Sequence, residues 1–358
     1  MMNFLKRFRF AGGRIAKTGI AVFLTAFVCE LLNWPAMFAV ITAIVTIEPT
    51  AADSIKKAFI RFPASAIGAL FAVIISPLLG DHAITYALVA ILTIITCHKL
   101  RLDAGILVAT LTGIAMIPTI HDHYIATFFI RLGTTSLGLI VSTLVNLWIL
   151  PPKYSPIISR NIHDLYVKTG NLLEKRGNEI LQGHSLHRDT KLIFNDITRE
   201  IDKTNMLCEY EKEEMKLHRS SRKDLRNHHY QFKKLNLLRQ IHFHIGNLIY
   251  LPVQNESFTP QEKDKILQAV HSLKNIMYQP SYDMQEGHFI LMKDLLQEFW
   301  EDHDDLHNKP FQSIRHHFSC ETVLLYELLS IHDLLEELNE LHVLEKQHQN
   351  VLEKTLEI

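Results

Sequence analysis

One stretch of this sequence occurs twice. Phe59-Ile60-Arg61, with Gly68 following, recurs as Phe129-Ile130-Arg131 with Gly138 following, at the same internal spacing. Each copy opens a long apolar run. A second matched pair lies just upstream, where Ile47-Glu48-Pro49-Thr50 closes one short apolar segment and Ile117-Pro118-Thr119 closes another. Two matched signals in the same order point to a duplicated unit, and overlooking a duplication misassigns the whole fold.

Charge divides the 358 residues. Residues 1–150 hold 11 Lys or Arg and 6 Asp or Glu, a net of +5, whereas the remainder carries −6. The near-zero mean hydropathy therefore averages an apolar first part and an ordinary polar second part. The expected division is a transmembrane domain over 1–153 and an all-helical cytosolic domain over 154–358.

The first part reads as six apolar segments, at about 15–32, 36–49, 58–79, 84–97, 104–119 and 124–150. The first follows Lys6, Arg7, Arg9 and Arg14, and contains Lys17 and Glu30. It resembles a signal peptide's charged start but is longer than an ordinary apolar core and lacks a small-residue cleavage site, so it is expected to remain as a span. Asn33-Trp34-Pro35 makes a tight turn. Residues 36–47 cover roughly 18 Å as a helix, short of the roughly 30 Å hydrocarbon core. Asp53 or Ser54 is suited to cap the next helix. The basic residues near segment ends fall at the amino terminus, at Lys56-Lys57, at Lys99 and Arg101, and after Pro152, while the turns at Asn33, Asp81 and Asp122 have none. The positive-inside rule then puts both termini in the cytoplasm of a multi-pass cell-membrane protein.

Six spans divided by the repeat give three plus three, and an odd number of crossings per copy inverts the second copy. Ligand sites in such proteins lie between the inverted repeats, on short or Pro/Gly-interrupted helices. The candidate substrate-binding residues are therefore Pro49 and Thr50 in one copy, Pro118 and Thr119 in the other, and the two arginines Arg61 and Arg131. Proline frees a carbonyl and threonine offers a hydroxyl; the alternative is that both prolines simply end helices at the surface. A guanidinium within lipid depth costs at least about 2.5 to 3.5 kcal/mol, so one kept there faces the bundle interior or water. Arg131 lies roughly 10 Å down its helix from Tyr124. It either lines an anion path or pairs structurally, with Asp122 or a carbonyl; Arg61, nearer a helix start, favours the structural role. Glu30 and Glu48 are candidates to carry a coupling proton where burial raises their pKa, against the simpler reading of carboxylates in contact with water.

Beyond Pro151-Pro152 the pattern is amphipathic helix. Ile162, Leu165, Tyr166, Leu172 and Leu173 form one stripe, and Leu192, Ile193, Ile197 and Ile201 another. Gly177, Gly183 and His184 mark a break between them. Thr259-Pro260-Gln261-Glu262 signals a helix start, and Leu328, Ile331, Leu335 and Leu338 lie in register on the last helix. A helical bundle is expected. The four dispersed cysteines imply neither a disulfide framework nor a metal knuckle, and the 21 histidines contain no HExxH spacing, so no metal is expected. No P-loop, GxSxG or dinucleotide fingerprint is present. No catalytic residues, cofactor or enzymatic activity are expected. The basic run Lys212, Lys216, Arg219, Arg222, Lys223 and Arg226 lacks interleaved aromatics and does not suggest nucleic acid; it suits a solvated face or anionic lipid headgroups.

Arg14-Ile15-Ala16-Lys17-Thr18, then short apolar segments, Pro49-Thr50, Arg61 with Gly68, and Arg131-Leu132-Gly133-Thr134 with Gly138, in that order, resemble the bacterial aromatic acid exporter family. Its wider relatives are the fusaric acid resistance proteins and the plant aluminium-activated malate transporters. The helical second half is similar to the C-terminal domain of the first family. The first repeat departs from the Arg-x-Gly-Thr form, having Arg61-Phe62-Pro63-Ala64. The resemblance implies efflux or passage of small organic anions, aromatic carboxylates in particular, by a homodimer in the lipid bilayer. Two alternatives stand beside a carrier: an organic-anion channel, and a membrane-anchored scaffold or sensor acting through the second half.

Overall fold

The computed structural model describes residues 2–119, 124–149, 153–217, 220–251, 258–307 and 319–356. Among them the chain is all-helical, with no strand. It forms two compact units, one of Met1–Pro152 with Glu213–Arg219 and one of Lys153–Lys212 with Ser220–Ile358.

The first unit holds α1 (Met2–Leu31), α2 (Ala36–Thr46), α3 (Ala51–Leu79), α4 (Ala83–Lys99), α5 (Ile106–Met116) and α6 (Tyr124–Trp148), with 3-10 turns at Asp103–Gly105 and Ile117–Thr119 on either side of α5. Asn33, at φ 54°, turns the chain before Pro35 leads into α2. The start of α3 differs from the sequence expectation. Thr50, not Asp53 or Ser54, is the capping residue, its Oγ1 accepting from the Asp53 N–H at 3.0 Å. Asp53 instead lies in the first turn, where a carboxylate suits the positive helix end. Helix α3 runs through Pro63 and Pro77 and ends at Gly80, whose φ of 65° favours glycine. Among the described residues two helices, Ala51–Leu79 and Ile125–Trp148, are long and apolar enough to cross a membrane, and three shorter apolar helices accompany them. His121-Asp122-His123 and Pro151-Pro152 lie outside the described residues.

Packing within this unit follows one scheme twice. Helix α1 lies against α2 and α6, as α4 lies against α5 and α3; α2 packs on α6, as α5 packs on α3; and α3 and α6 pack on each other. The closest approaches obey the same pairing. A Cβ on Gly68 would stand 2.1 Å from the Ala109 carbonyl oxygen, and one on Gly138 would stand 2.3 Å from that of Ala39. Both partners are backbone and cannot step aside. Gly68→Ala and Gly138→Ala are therefore each expected to force the helices apart and destabilise this unit by about 1–3 kcal/mol. A lower unfolding midpoint of the purified protein in detergent checks this.

The second unit consists of α7 (Ser155–Leu181), most of α8 (Arg188–Leu217), α9 (Arg222–Ile249), α10 (Pro260–Tyr278), α11 (Glu286–His307) and α12 (Cys320–Leu356). Capping boxes open two of them: Ser221 with Asp224 starts α9, and Thr259 with Glu262 starts α10 one residue before Pro260. The core joins the stripes of α7, α9, α10 and α12, with Leu165, Leu238, Leu273 and Leu335 all fully buried. The expected break at Gly177 is a correction. Helix α7 continues through it to Leu181, and Gly177 admits the Val270 side chain, 3.2 Å from where a Cβ would sit. The turn comes at Gly183, φ 73°.

Two buried histidines make this unit sensitive to acid. His242 stacks on Phe194 with ring centroids 4.2 Å apart, its Nε2 2.8 Å from Thr198 Oγ1. His288 lies between Ser272 Oγ at 2.8 Å and His332 Nδ1 at 3.0 Å. Burial pushes His242 down to about 4, and burial followed by the neighbouring His332 does the same to His288. The unfolded chain protonates these rings near 6.5, before the folded one does. Their contribution to stability is thus fully present above about pH 6.5 and is lost as the pH falls toward about 4, reaching about 2 kcal/mol per histidine at about pH 5. Urea midpoints at pH 7.5 and pH 5 should show the decline, and His288→Asn should reduce it.

Candidate functional site

The break between α2 and α3 is held by side chains from four helices. Helix α2 stops at Thr46, and the carbonyls of its last turn have no partner within the helix. The Arg14 guanidinium donates to the Ile47 oxygen at 3.1 Å, the Ser54 hydroxyl to that of Thr46 at 3.1 Å, and the Asn146 amide to those of Glu48 and Thr50 at 3.1 and 3.0 Å. Asn146 is in turn held by Lys17, whose Nζ donates to its Oδ1 at 2.9 Å. At the start of α3, the Ala51 N–H donates to the Glu214 carboxylate at 2.6 Å. Lys17 and Asn146 were legible only as polar interruptions of two apolar runs; nothing in their spacing pairs them.

Arg61 belongs to the same clamp. Its Nε donates to the Ala104 oxygen at 3.3 Å, Nη1 to that of Val45 at 3.1 Å, and Nη2 to Glu48 Oε1 at 2.7 Å. Every nitrogen of this guanidinium is engaged. Glu48 also takes Lys57 at 2.9 Å, so it bridges two cations. Thr50 is buried and serves as a helix cap. Pro49 is half-buried, and Pro118 is exposed in the 3-10 turn after α5. Glu30 is exposed near the end of α1. The Thr119 side chain lies outside the described residues. The four sequence candidates Pro49, Thr50, Arg61 and Glu48 thus gather at one place, while Arg131, Glu30 and Pro118 lie apart from it.

Arg131 is built differently from its counterpart. It sits in α6, 5% exposed, with its guanidinium carbon 3.4 Å from the centroid of the Phe38 ring. Nη2 donates to Thr112 Oγ1 at 3.1 Å. Nε and Nη1 are buried and have no hydrogen-bond partner among the described residues. The surroundings are hydroxyls: Ser65 Oγ donates to Thr112 Oγ1 at 3.2 Å and lies 3.4 Å from Thr135 Oγ1. Ser65 and Thr135 occupy equivalent positions of the repeat, as Arg61 and Arg131 do. No carboxylate pairs with Arg131 among the described residues. A desolvated guanidinium over an aromatic face gains about 2 kcal/mol, less than the several kcal/mol that burying an ion costs. The donors left over can bind an anion entering edge-on, since the ring covers only one face. Among the described residues no group of three His, Cys, Asp or Glu could hold a metal.

Residues 9–149 match the family described as aromatic acid exporter family member 1. Across the full length the chain is similar to a UPF0421 protein of Bacillus cereus, 47% identical over 95% of this chain and 96% of the relative. A UPF0421 protein of Oceanobacillus iheyensis is 39% identical over 92% and 95%, and one of Staphylococcus haemolyticus 38% over 89% and 95%.

Proposed function

The chain belongs to the UPF0421 proteins and, through residues 9–149, to the aromatic acid exporter family, and from that premise we propose that it is a multi-pass cell-membrane transporter exporting small organic anions, aromatic carboxylates foremost. The observation that carries this is Arg131, a buried guanidinium with two nitrogens unengaged. A carboxylate accepts from the unengaged Nη1 or Nε and neutralises a charge that no carboxylate among the described residues neutralises. Phe38 and the Thr112, Ser65 and Thr135 hydroxyls complete the surface it meets, apolar on one side and hydrogen-bonding on the other.

The twofold packing scheme supports a six-span, three-plus-three inverted repeat with both termini in the cytoplasm. Gly68 against Ala109 and Gly138 against Ala39 are one contact made twice, and the Ser65–Thr135 contact lies where the two copies meet. Sites between inverted repeats are where such transporters bind cargo. In this reading Arg61, Glu48, Thr50 and Pro49 hold the α2–α3 break, and Arg131 holds the cargo. The second unit is cytosolic, and the assembly implied by the family likeness is a homodimer. A scaffold anchored by the same helices gives no reason to keep an uncompensated guanidinium inside them.

The test is flux in proteoliposomes of the purified protein. Benzoate is expected to move and the isosteric, uncharged benzamide to move no faster than through empty vesicles. Equal rates for the two, or no benzoate flux above the empty-vesicle background, would overturn the proposal.

A further inference from the structure

The second unit contains a cleft that transport through Arg131 does not use. It measures about 310 Å³ and is lined by His163 of α7, Gln231 and Lys234 of α9, Tyr282, and His342 and Lys346 of α12. Gln231 is 5% exposed, and its Nε2 donates to the Ser155 oxygen at 3.1 Å and to Ser155 Oγ at 3.0 Å. Its Oε1 is buried and has no donor among the described residues. A buried acceptor left without a donor is destabilising and is ordinarily found satisfied.

The charge of the lining is lopsided. Lys234 and Lys346 stand against one carboxylate, Glu345, which Lys234 already engages at 2.5 Å and which lies 3.6 Å from His342. Lys346 is exposed and pairs with no carboxylate among the described residues. His342 is held below the ordinary imidazole range by burial first, then by Lys234 and Lys346, so it registers the positive field of the cleft. Tyr282, 3% exposed, has its phenol pushed up by burial and by Glu345, which keeps it a neutral O–H. A cleft that is cationic, aromatic on one wall and short of one donor fits a particular ligand chemistry.

We propose that this cleft binds a small anion that also carries a hydrogen-bond donor, with the anionic group toward Lys346 and Lys234 and the donor on Gln231 Oε1. A hydroxylated or amino carboxylate has this chemistry, and so has hydrogen phosphate. The proposal concerns the second unit alone and holds whichever anion the first unit carries.

The experiment is isothermal titration calorimetry of the purified full-length protein carrying Arg131→Gln, so that the guanidinium of the first unit contributes nothing. The probes are 4-hydroxybenzoate, benzoate and inorganic phosphate. Saturable binding of 4-hydroxybenzoate or phosphate is expected, and which of the two binds tighter assigns the organic or the inorganic source. Lys346→Gln, at an exposed position, and Gln231→Leu, which removes the unmet acceptor, should each weaken that binding about tenfold or more. Benzoate should bind about tenfold more weakly than 4-hydroxybenzoate wherever the latter binds. Absence of saturable binding in the millimolar range, indifference to both substitutions, or benzoate binding as tightly as its hydroxylated form would each overturn the proposal.

Discussion

Replacing Arg131 by alanine is expected to cut carboxylate flux about a hundredfold while the protein stays folded. A charge-assisted hydrogen bond between guanidinium and carboxylate is worth about 1.5–3 kcal/mol, the upper end of which is about two orders of magnitude. Folding is spared for a specific reason. Of the three guanidinium nitrogens only Nη2 is engaged, by Thr112, so truncation removes an unpaired charge together with one hydrogen bond and the Phe38 contact. Arg61→Ala should give the opposite result. It strands Glu48 beside Lys57 and leaves the Val45 and Ala104 carbonyls without a donor, so the expected loss is of folded protein recovered in detergent. Size-exclusion profiles and vesicle flux, measured on both variants, separate the two roles. Wild-type flux from folded Arg131→Ala would remove that residue from the site.

The sequence made the two matched stretches visible because glycine and arginine recur in them at fixed spacing. It made the packing pairs invisible, since Ala39 and Ala109, or Thr42 and Thr112, are ordinary residues of apolar helices until a neighbouring helix is laid on them. The helix start at Thr259-Pro260 was legible from local chemistry alone, for a cap and its partner lie three residues apart. The difference in partners between Arg61 and Arg131 was not. It rests on Glu48, Val45 and Ala104, 13, 16 and 43 residues away, and on the fact that position 131 has no such set. Gly177 misled for the same reason. A glycine in a helical pattern signals a stop or a close approach, and only Val270 on α10 decides which.

The second large effect is expected in the second unit. Arg176 is 1% exposed within the second unit and donates to the Leu248 oxygen at 2.9 Å, to that of Leu251 at 3.3 Å and to Glu179 Oε2 at 3.1 Å. It thereby closes the carboxyl end of α9, whose last carbonyls have no helical partner, and neutralises a glutamate that is itself 5% exposed and bonded by Thr190. Arg176→Ala removes the cation and leaves that carboxylate buried, a change that costs about 3–5 kcal/mol, a large share of the 5–15 kcal/mol typical of a domain. Amide exchange of α7 and α9 in the purified full-length protein should accelerate about a hundredfold or more. The double variant Arg176→Met with Glu179→Gln should recover most of the protection, because the charge to be compensated is gone and the methionine fills the space. Exchange in Arg176→Ala matching the wild type would mean that water reaches Glu179 freely. A double variant no better than the single one would mean that the carbonyls of α9, rather than the ion pair, are what Arg176 is there to hold.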